Sequence, residues 1–252
     1  MKKEYYLSGW TKNECMKMTL PLMIMGIYYS LWSLSHIQKV EKGLLKMESF
    51  YSAIDLRGYP SQYFAKTAIV KEVNIENYRD VIDSFVDNKH KNSLFGIEIN
   101  DESKNVKKIV RKADSMDVIF FKSRDSKENR EALKNKELTL VSNPDNLDSV
   151  CFNLAKENSI GFELNLQEFI NNQRYRRVKV LETYRELLKA YKKYSFPIVL
   201  TSGAKDIYEK KTPLTLISFG CILGMDIRES KASITTVPEM LIYKNQKSFA
   251  RR

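Results

Sequence analysis

Residues 160–165 read IGFELN and residues 197–204 read PIVLTSGA. Both stretches are short, apolar and rich in β-branched or aromatic residues, which is typical of strands buried inside a parallel sheet. Five similar stretches precede them along the chain. The sequence therefore predicts strands at 50–55, 67–70, 94–99, 117–121, 138–141, 160–165 and 197–201.

Amphipathic stretches separate these strands and predict helices at 76–86, 103–112, 127–134, 146–157, 177–194 and 213–223. Strands that alternate with helices in this way indicate βαβ units. We therefore expect an α/β fold of the TIM-barrel type, a (βα)n barrel of roughly seven parallel strands with surrounding helices. An open doubly wound sheet is the alternative. No Gly-rich dinucleotide or phosphate-binding fingerprint follows any predicted strand, which favours the barrel.

The helix predicted at 177–194 combines two stripes of side chains. Apolar and aromatic residues recur at helical spacing and should pack inward, namely Leu181, Tyr184, Leu188 and Tyr191. Basic residues fall on another stripe that should face solvent, namely Arg185, Lys189 and Lys192.

Composition favours a polyanionic partner. The chain of 252 residues carries 42 Lys and Arg against 31 Asp and Glu, a formal charge of +11, and its 43% hydrophobic content can supply a full core. Three cysteines without CxxC spacing, Cys15, Cys151 and Cys221, form neither a disulfide framework nor a zinc ribbon. We expect reduced thiols, with Cys151 and Cys221 buried among apolar neighbours.

The first 46 residues differ from the rest. Residues 18–37 contain no charged side chain and have the length of a membrane span, although Pro21 and Gly26 interrupt them. Alternatively, the natural start is Met47, because codons for Glu41 to Gly43 can spell a ribosome-binding site. The sequence leaves open whether Met1 or Met47 is the start and whether 18–37 inserts in a membrane. We expect no membrane partner and divide the chain into an N-terminal extension (1–46), a barrel domain (47–243) and a basic C-terminal tail (244–252).

Carboxylates lie at or inside predicted strands, where barrel enzymes place catalytic groups. They are Asp55, Glu98, Asp117 and Glu163. Such oxygens could hold magnesium, but without a spacing signature we expect pairing with barrel lysines and arginines. His90 is the only histidine after Met47, so we assign no catalytic residue and no metal ligand.

Basic residues follow several predicted strands. The segment NNQRYRRVK, residues 171–179, is the strongest candidate for nucleic-acid binding, because its guanidiniums can pair phosphates and Tyr175 offers a stacking surface. The turn TSGA after the last predicted strand has two equal interpretations, a phosphate-binding backbone or a tight strand-to-helix turn.

The chain resembles the archaeal and eukaryotic ribonuclease P protein component 3 family over residues 50–242. The matching stretches are FYSAIDLR from Phe50, LFGIEI from Leu94, DVIFFKSRD from Asp117, IGFELNLQEFI from Ile160, RYRRVKVLETYRELLKAYKKY from Arg174, FPIVLTSGA from Phe196, and the run from Thr212 to Ile242. This resemblance implies a barrel related to polymerase-and-histidinol-phosphatase type metallohydrolases. It also implies a non-catalytic, RNA-binding and cytoplasmic subunit of ribonuclease P, which removes the 5′ leader of precursor tRNA.

The same resemblance implies the partners and the contact residues. The partners are ribonuclease P RNA, another small protein subunit and, through the complex, precursor tRNA; magnesium is expected for the RNA, with no cofactor on this subunit. The RNA-contact candidates are Arg124, Arg174, Arg176, Arg177, Lys179 and Lys205. The alternative function is a free-standing metal-dependent phosphoesterase that uses Asp55, Glu98 and Glu163.

Overall fold

The computed structural model describes residues 52–86, 93–100, 102–142 and 145–250. The chain divides into two units, Met1–Glu48 and Ser49–Arg252, and every described residue lies in the second. The predictions for residues 1–46, including a span at 18–37 and a start at Met47, fall outside the described residues, as does His90.

Seven parallel strands form one sheet whose spatial order follows the chain order. They are β1 (Ile54–Asp55), β2 (Lys66–Val73), β3 (Ser93–Ile99), β4 (Val118–Lys122), β5 (Leu140–Ser142), β6 (Gly161–Asn165) and β7 (Ile198–Thr201). Each strand overlaps a predicted one. The largest differences are at β2, which is twice as long as the predicted 67–70, and at β1, where the described residues 52–53 of the predicted 50–55 lie outside the strand.

Helices connect the strands. They are α1 (Tyr78–Val86), α2 (Ser103–Val110), α3 (Ser126–Ala132), α4 (Ser149–Glu157), α5 (Leu166–Asn171), α6 (Arg174–Tyr194), α7 (Pro213–Leu223), α8 (Ile227–Ala232) and α9 (Thr236–Ala250). All six predicted helices are present, whereas α5, α8 and α9 were not predicted. Among the described residues, no helix combines the length and the apolar character that crossing a bilayer requires.

Side chains alternate between the helix-covered outside of the sheet and its lumen. On β4, Ile119 and Phe121 pack in the large cluster with the helices, while Val118 and Phe120 join a smaller cluster with Leu140 and Val199. Because neighbouring residues of a strand point to opposite faces, this smaller cluster is the lumen. Ile97 and Ile99 of β3 pack outward, and Phe162 and Leu164 of β6 do the same. Glu98 and Glu163, which lie between these pairs, therefore point into the lumen.

The gap between the first and last strands is bridged by the connection between α8 and α9. The amide of Ile54 donates to the Ile234 carbonyl (2.7 Å), and the amide of Leu200 donates to the Ser233 carbonyl (3.2 Å). One short segment thus hydrogen-bonds to both β1 and β7. The predicted TIM-barrel-like architecture is confirmed as a nearly closed barrel.

Helix α9 packs under the barrel, at the end where the strands begin. Leu241 and Ile242 join the lumen cluster. Lys244 Nζ donates to the carbonyls of Leu138 (2.9 Å) and Ser159 (3.1 Å), and burial lowers its pKa to about 8. The boundary predicted between residues 243 and 244 therefore falls inside a helix, and Lys244 is used by the fold rather than by a basic tail.

Two further predictions concern single helices. In α6, Tyr184 and Leu188 are buried, Leu181 and Tyr191 pack against the core, and the basic stripe is exposed, as predicted. The helix begins at Arg174 rather than at residue 177.

Burial was predicted for two cysteines. Cys151 is buried as predicted, but the prediction is wrong for Cys221, which is exposed because it lies on the solvent side of α7 beside exposed Ile222.

Asn245 attaches α9 to the end of the barrel where the strands begin, which we call the barrel floor. Its buried Nδ2 donates to the carbonyls of Met116 (3.1 Å) and Asp117 (3.0 Å), just before β4. We expect Asn245→Ala to lower the free energy of unfolding by about 2 kcal/mol or more, since two buried carbonyls lose their donor. Urea denaturation measures this, with exposed Gln246→Ala as the control expected to change stability by less than about 0.5 kcal/mol. Equal effects of the two variants would contradict this role.

Candidate nucleic-acid interface

Arg57 lies two residues after the end of β1, at the end of the barrel where the strands finish. The chain turns sharply there, because the Arg57 amide donates to Asp55 Oδ1 (3.2 Å) and Gly58 packs against the same carboxyl group. A Cβ atom at Gly58 would lie 2.2 Å from Asp55 Oδ2, so the position needs glycine. This turn directs the Arg57 side chain into the barrel mouth.

The guanidinium of Arg57 joins three strands across that mouth. Its Nη2 donates to Glu98 Oε1 of β3 (2.7 Å) and to Ser142 Oγ of β5 (2.9 Å). Its Nε donates to Glu163 Oε1 of β6 (2.8 Å). The group also lies over the Phe120 ring of β4, with Cζ 4.4 Å from the ring centroid, which is a cation–π distance.

These ion pairs fix the charge states of the mouth. Burial by itself would raise the pKa of Glu98, but the Arg57 guanidinium reverses this and lowers it below the ordinary value. Burial likewise works against the charged form of Arg57, yet Glu163 and Glu98 together raise its pKa. Lys122 Nζ approaches the second Glu98 oxygen at 3.8 Å. Both carboxylates are only 2% exposed, so their charges are balanced inside the protein rather than by water.

A divalent cation does not fit among the carboxylates proposed for a phosphoesterase. The Arg57 nitrogens already lie between Glu98 and Glu163, in the space that a shared metal ion would need. Among the described residues, no group of three or more His, Cys, Asp and Glu side chains is arranged to hold a metal. The geometry therefore supplies a guanidinium between two of the carboxylates that were considered as magnesium ligands.

Asp55, the third of these carboxylates, links β1 to the segment after β7. Its Oδ1 accepts from the Ser202 amide (3.1 Å) as well as from the Arg57 amide. Burial raises its pKa to about 7, although these hydrogen bonds act in the opposite direction. Asp55 is thus a barrel-closing residue that changes charge near neutral pH.

The TSGA turn after β7 uses its amides internally. Besides the Ser202 amide, the Gly203 amide donates to the Arg57 carbonyl (2.8 Å), and the Ala204 amide donates to Ser202 Oγ (3.2 Å). Gly203 has a φ of 68°, and a Cβ there would collide with Asn165. Of the two interpretations of this turn, the tight structural turn is the one that the geometry supports.

Three of the predicted RNA-contact residues come together in one cleft outside the mouth. Arg124, which follows β4, and Arg176 and Lys179 on the first turns of α6 line a cleft of about 490 Å³, together with Tyr175. All four side chains are exposed. Within the described part of the chain, the side chains of Arg124, Arg176 and Lys179 form no hydrogen bond or ion pair.

The other three predicted residues lie elsewhere on the same end of the barrel. Arg177 turns back to the end of α5, where its Nε donates to the Asn172 carbonyl (2.7 Å) and its Nη2 to the Ile170 carbonyl (2.9 Å). It therefore caps a helix C-terminus, where a cation is favourable. Arg174 is exposed with a left-handed φ of 48°, and Lys205 is exposed in the loop after β7.

Comparison with known proteins agrees with this architecture. The model of the family described as RNase P subunit p30 matches residues 93–249. The chain belongs to this family. The RNase P subunit p30 match starts at β3, so β1, β2 and the Arg57 turn precede the matched range.

Individual relatives give the same family. Ribonuclease P protein component 3 of Methanococcus vannielii is 35% identical over 156 residues, which cover 56% of this chain and 68% of the relative. The protein of the same name from Methanothermobacter thermautotrophicus is 31% identical over 158 residues, covering 58% and 63%. The match thus spans about two thirds of the length of these relatives. A chain in a cryo-EM structure of archaeal ribonuclease P with mature tRNA has the same fold, with a TM-score of 0.61, 20% identity, and 75% of this chain and 91% of that chain covered.

Arg57 was not singled out from the sequence, although two signals were present. It lies two residues after a predicted strand that ends in Asp55, and glycine follows it. The inward-pointing Glu98 and Glu163 required a buried cation, and barrel topology brings residues just after a strand to their end of the barrel.

Replacing Arg57 should show how much its ion pairs contribute to the free energy of unfolding. Arg57→Met keeps an apolar stem but leaves Glu98 and Glu163 buried without their cation, so we expect a loss of about 3–5 kcal/mol in unfolding free energy at pH 8. Unpaired buried carboxylates have raised pKa values, so the folded variant takes up protons and the loss should shrink as the pH falls. Urea denaturation at pH 5 and pH 8 measures both effects.

Exposed Arg228→Met on α8 is the matched control and should change stability little at either pH. Adding Glu98→Gln and Glu163→Gln to Arg57→Met should recover much of the lost stability by removing both charges. If Arg57→Met alone were as stable as the Arg228 control, the ion pairs of Arg57 with Glu98 and Glu163 would not stabilise the barrel.

Asp55 predicts a specific pH dependence. Its folded pKa of about 7 lies above the ordinary value of 3.8, so the folded protein binds the extra proton between these values. The stability that protonated Asp55 contributes is therefore lost as pH rises from about 4 to about 7. Asp55→Asn stays neutral and keeps an acceptor oxygen, so its stability should fall less over this window. Urea denaturation at several pH values compares it with exposed Asp114→Asn; an unchanged slope for Asp55→Asn would refute the assignment.

Proposed function

We propose that this chain is a protein subunit of ribonuclease P that binds RNA through the end of the barrel where the strands finish. The observation that carries the proposal is the cleft lined by Arg124, Arg176 and Lys179, whose side chains have no hydrogen-bond or ion-pair partner among the residues that the structure describes. Membership of the RNase P subunit p30 family supports the same assignment. The subunit supports the RNA and does not itself cleave the substrate.

The electrostatics of this end favour a phosphate backbone. Inside the mouth, the charge of Arg57 is taken up by Glu98 and Glu163, so it is not available to a phosphate. Outside the mouth, the side chains of Arg124, Arg176 and Lys179 are exposed and form no ion pair with any described residue, so they can pair phosphates. Exposed Arg174 and Lys205 extend this positive surface. The guanidinium of Arg177 instead holds the end of α5 in place through its hydrogen bonds to the Asn172 and Ile170 carbonyls. Binding by such dispersed cations is strongly salt-dependent and weakly sequence-specific.

The proposed partners follow from the relatives. We propose that ribonuclease P RNA is the direct ligand, that another small protein subunit of ribonuclease P binds this chain, and that precursor tRNA is contacted through the assembled complex. The proteins to which the chain is similar bear the name ribonuclease P protein component 3. Magnesium serves the RNA in this proposal, and this subunit binds no cofactor.

The proposal predicts how binding to ribonuclease P RNA depends on salt. We expect Arg124→Ala, Arg176→Ala and Lys179→Ala each to weaken binding and to reduce the slope of log affinity against log salt by about 0.7–0.9, because each removes one phosphate contact. Lys189→Ala, on an exposed position of the same helix outside the cleft, is the matched control. Filter binding of the full chain at several salt concentrations measures both quantities.

Two outcomes would contradict this proposal. Affinity that stays constant from low to high salt would exclude binding through phosphates. Hydrolysis of a simple phosphodiester by the purified chain with magnesium or manganese, abolished by Glu163→Gln, would instead favour the metal-dependent phosphoesterase. Reconstituted ribonuclease P assayed on precursor tRNA adds an independent check, because the cleft variants should slow its cleavage at high salt more than the Lys189 control does.

A further inference from the structure

We infer that the cleft lined by Arg124, Tyr175, Arg176 and Lys179 binds one unpaired nucleotide of RNA, with the phosphate at the basic rim and the base against Tyr175. The inference rests on the proposed function and specifies what the RNA must present. It requires a nucleotide that is bulged, looped or single-stranded rather than stacked in a duplex.

The dimensions of the cleft suit a single nucleotide. Its volume of about 490 Å³ falls in the range of small-molecule sites. Arg124 and Asn146 contribute one wall from the connections after β4 and β5, and Asn172 and Arg176 contribute the other from the α5–α6 junction. The base of an RNA helix lies inside its stack and cannot enter such a cleft without leaving the duplex.

Tyr175 supplies a surface for stacking. Its side chain is 80% exposed, which is unusual for a large aromatic residue. It is held on the first turn of α6, between Arg174 and Arg176, so a base that stacks on it lies next to the cationic rim. Aromatic rings at such positions stack unpaired bases in RNA-binding proteins.

The floor of the cleft differs in charge from the rim. It contains the carboxyl groups of Asp145 and Glu168, which accept from the hydroxyls of Thr183 (3.3 Å) and Tyr184 (3.0 Å). An anion that entered deeply would meet these carboxyl groups, so a phosphate or a carboxylate must stay at the rim. A neutral base carries amino and imino donors, which carboxyl and amide oxygens accept. A nucleotide has this combination of a charged group and a neutral, donor-bearing ring.

The neighbouring cavity disfavours an RNA strand that continues along α6. This second cavity, of about 510 Å³, shares Asp145, Asn146, Lys179 and Thr183 with the cleft. Its lining also includes Glu182 and Glu186, which repel a phosphate backbone. The strand on either side of the bound nucleotide is therefore expected to run away from this part of the helix.

The test uses the full chain and two RNA hairpins that share the same compact tetraloop and differ by one nucleotide in the stem. One stem carries a single bulged 2-aminopurine, whose fluorescence is quenched when it stacks, and the other stem is fully paired, so the loop contributes equally to both. We expect the bulged hairpin to bind about 5-fold to 100-fold more tightly, and its fluorescence to fall on binding. Tyr175→Leu should remove this preference and leave the salt dependence unchanged, whereas Tyr175→Phe should retain it.

Tyr208→Leu is the matched control, because Tyr208 is 92% exposed in the loop after β7 and lies outside the cleft. If both hairpins bind equally and Tyr175→Leu changes nothing, the inference is overturned while the proposed RNA-binding function stands. If neither hairpin binds, both are overturned. Displacement of the bulged hairpin by a hexaglutamate peptide at equal concentration would show that the cleft selects anions in general, and would also overturn the inference.

Discussion

The ion triad of Arg57, Glu98 and Glu163 determines what the rest of this barrel can do. Strand alternation forces both glutamates into the lumen, because their neighbours on β3 and β6 are needed outside to pack the helices. Two buried carboxylates a few ångströms apart are strongly unfavourable without a cation. Arg57 supplies that cation from the turn after β1, and its planar group reaches both acids and Ser142 at once. The link between the strands at the barrel mouth thus depends on one side chain, while Lys122 Nζ, 3.8 Å from Glu98 Oε2, supplies a second positive charge for the two carboxylates.

This arrangement moves the available positive charge from the centre of the barrel to its rim. In a barrel enzyme the mouth holds the reacting groups, but here its carboxylates are already bound to a guanidinium. Arg124, Arg176 and Lys179, which form no ion pair with any described residue, lie on a loop and a helix end around it. Exposed cations of this kind can pair with a large anionic partner, and among the described residues no group of His, Cys, Asp and Glu side chains is arranged to hold a metal.

The strand order was predictable from the sequence because buried parallel strands are apolar on both faces, as in 160–165 and 197–201. The closing elements were not. Helix α8 has only six residues and depends on a capping box between Asp226 and Glu229, while α9 interleaves polar residues such as Lys244 and Asn245 that are buried in the fold. In the sequence these polar residues look like a solvent-exposed tail. Only the structure shows that they donate to carbonyls at the barrel floor. The same limit applied to Arg57, whose partners lie 41 and 106 residues away in the chain.

The first turn of α6 shows why neighbouring basic residues need different explanations. Positive charge at a helix N-terminus opposes the macrodipole and costs about 0.3–1 kcal/mol for each residue. Arg177 offsets this cost, since its guanidinium binds the carbonyls at the C-terminus of α5, where the macrodipole favours it. Arg176 and Lys179 have no such contact within the described residues, and they face the cleft beside exposed Tyr175. The fold therefore accounts for Arg177, while Arg176 and Lys179 are the positions at which we propose phosphate contacts.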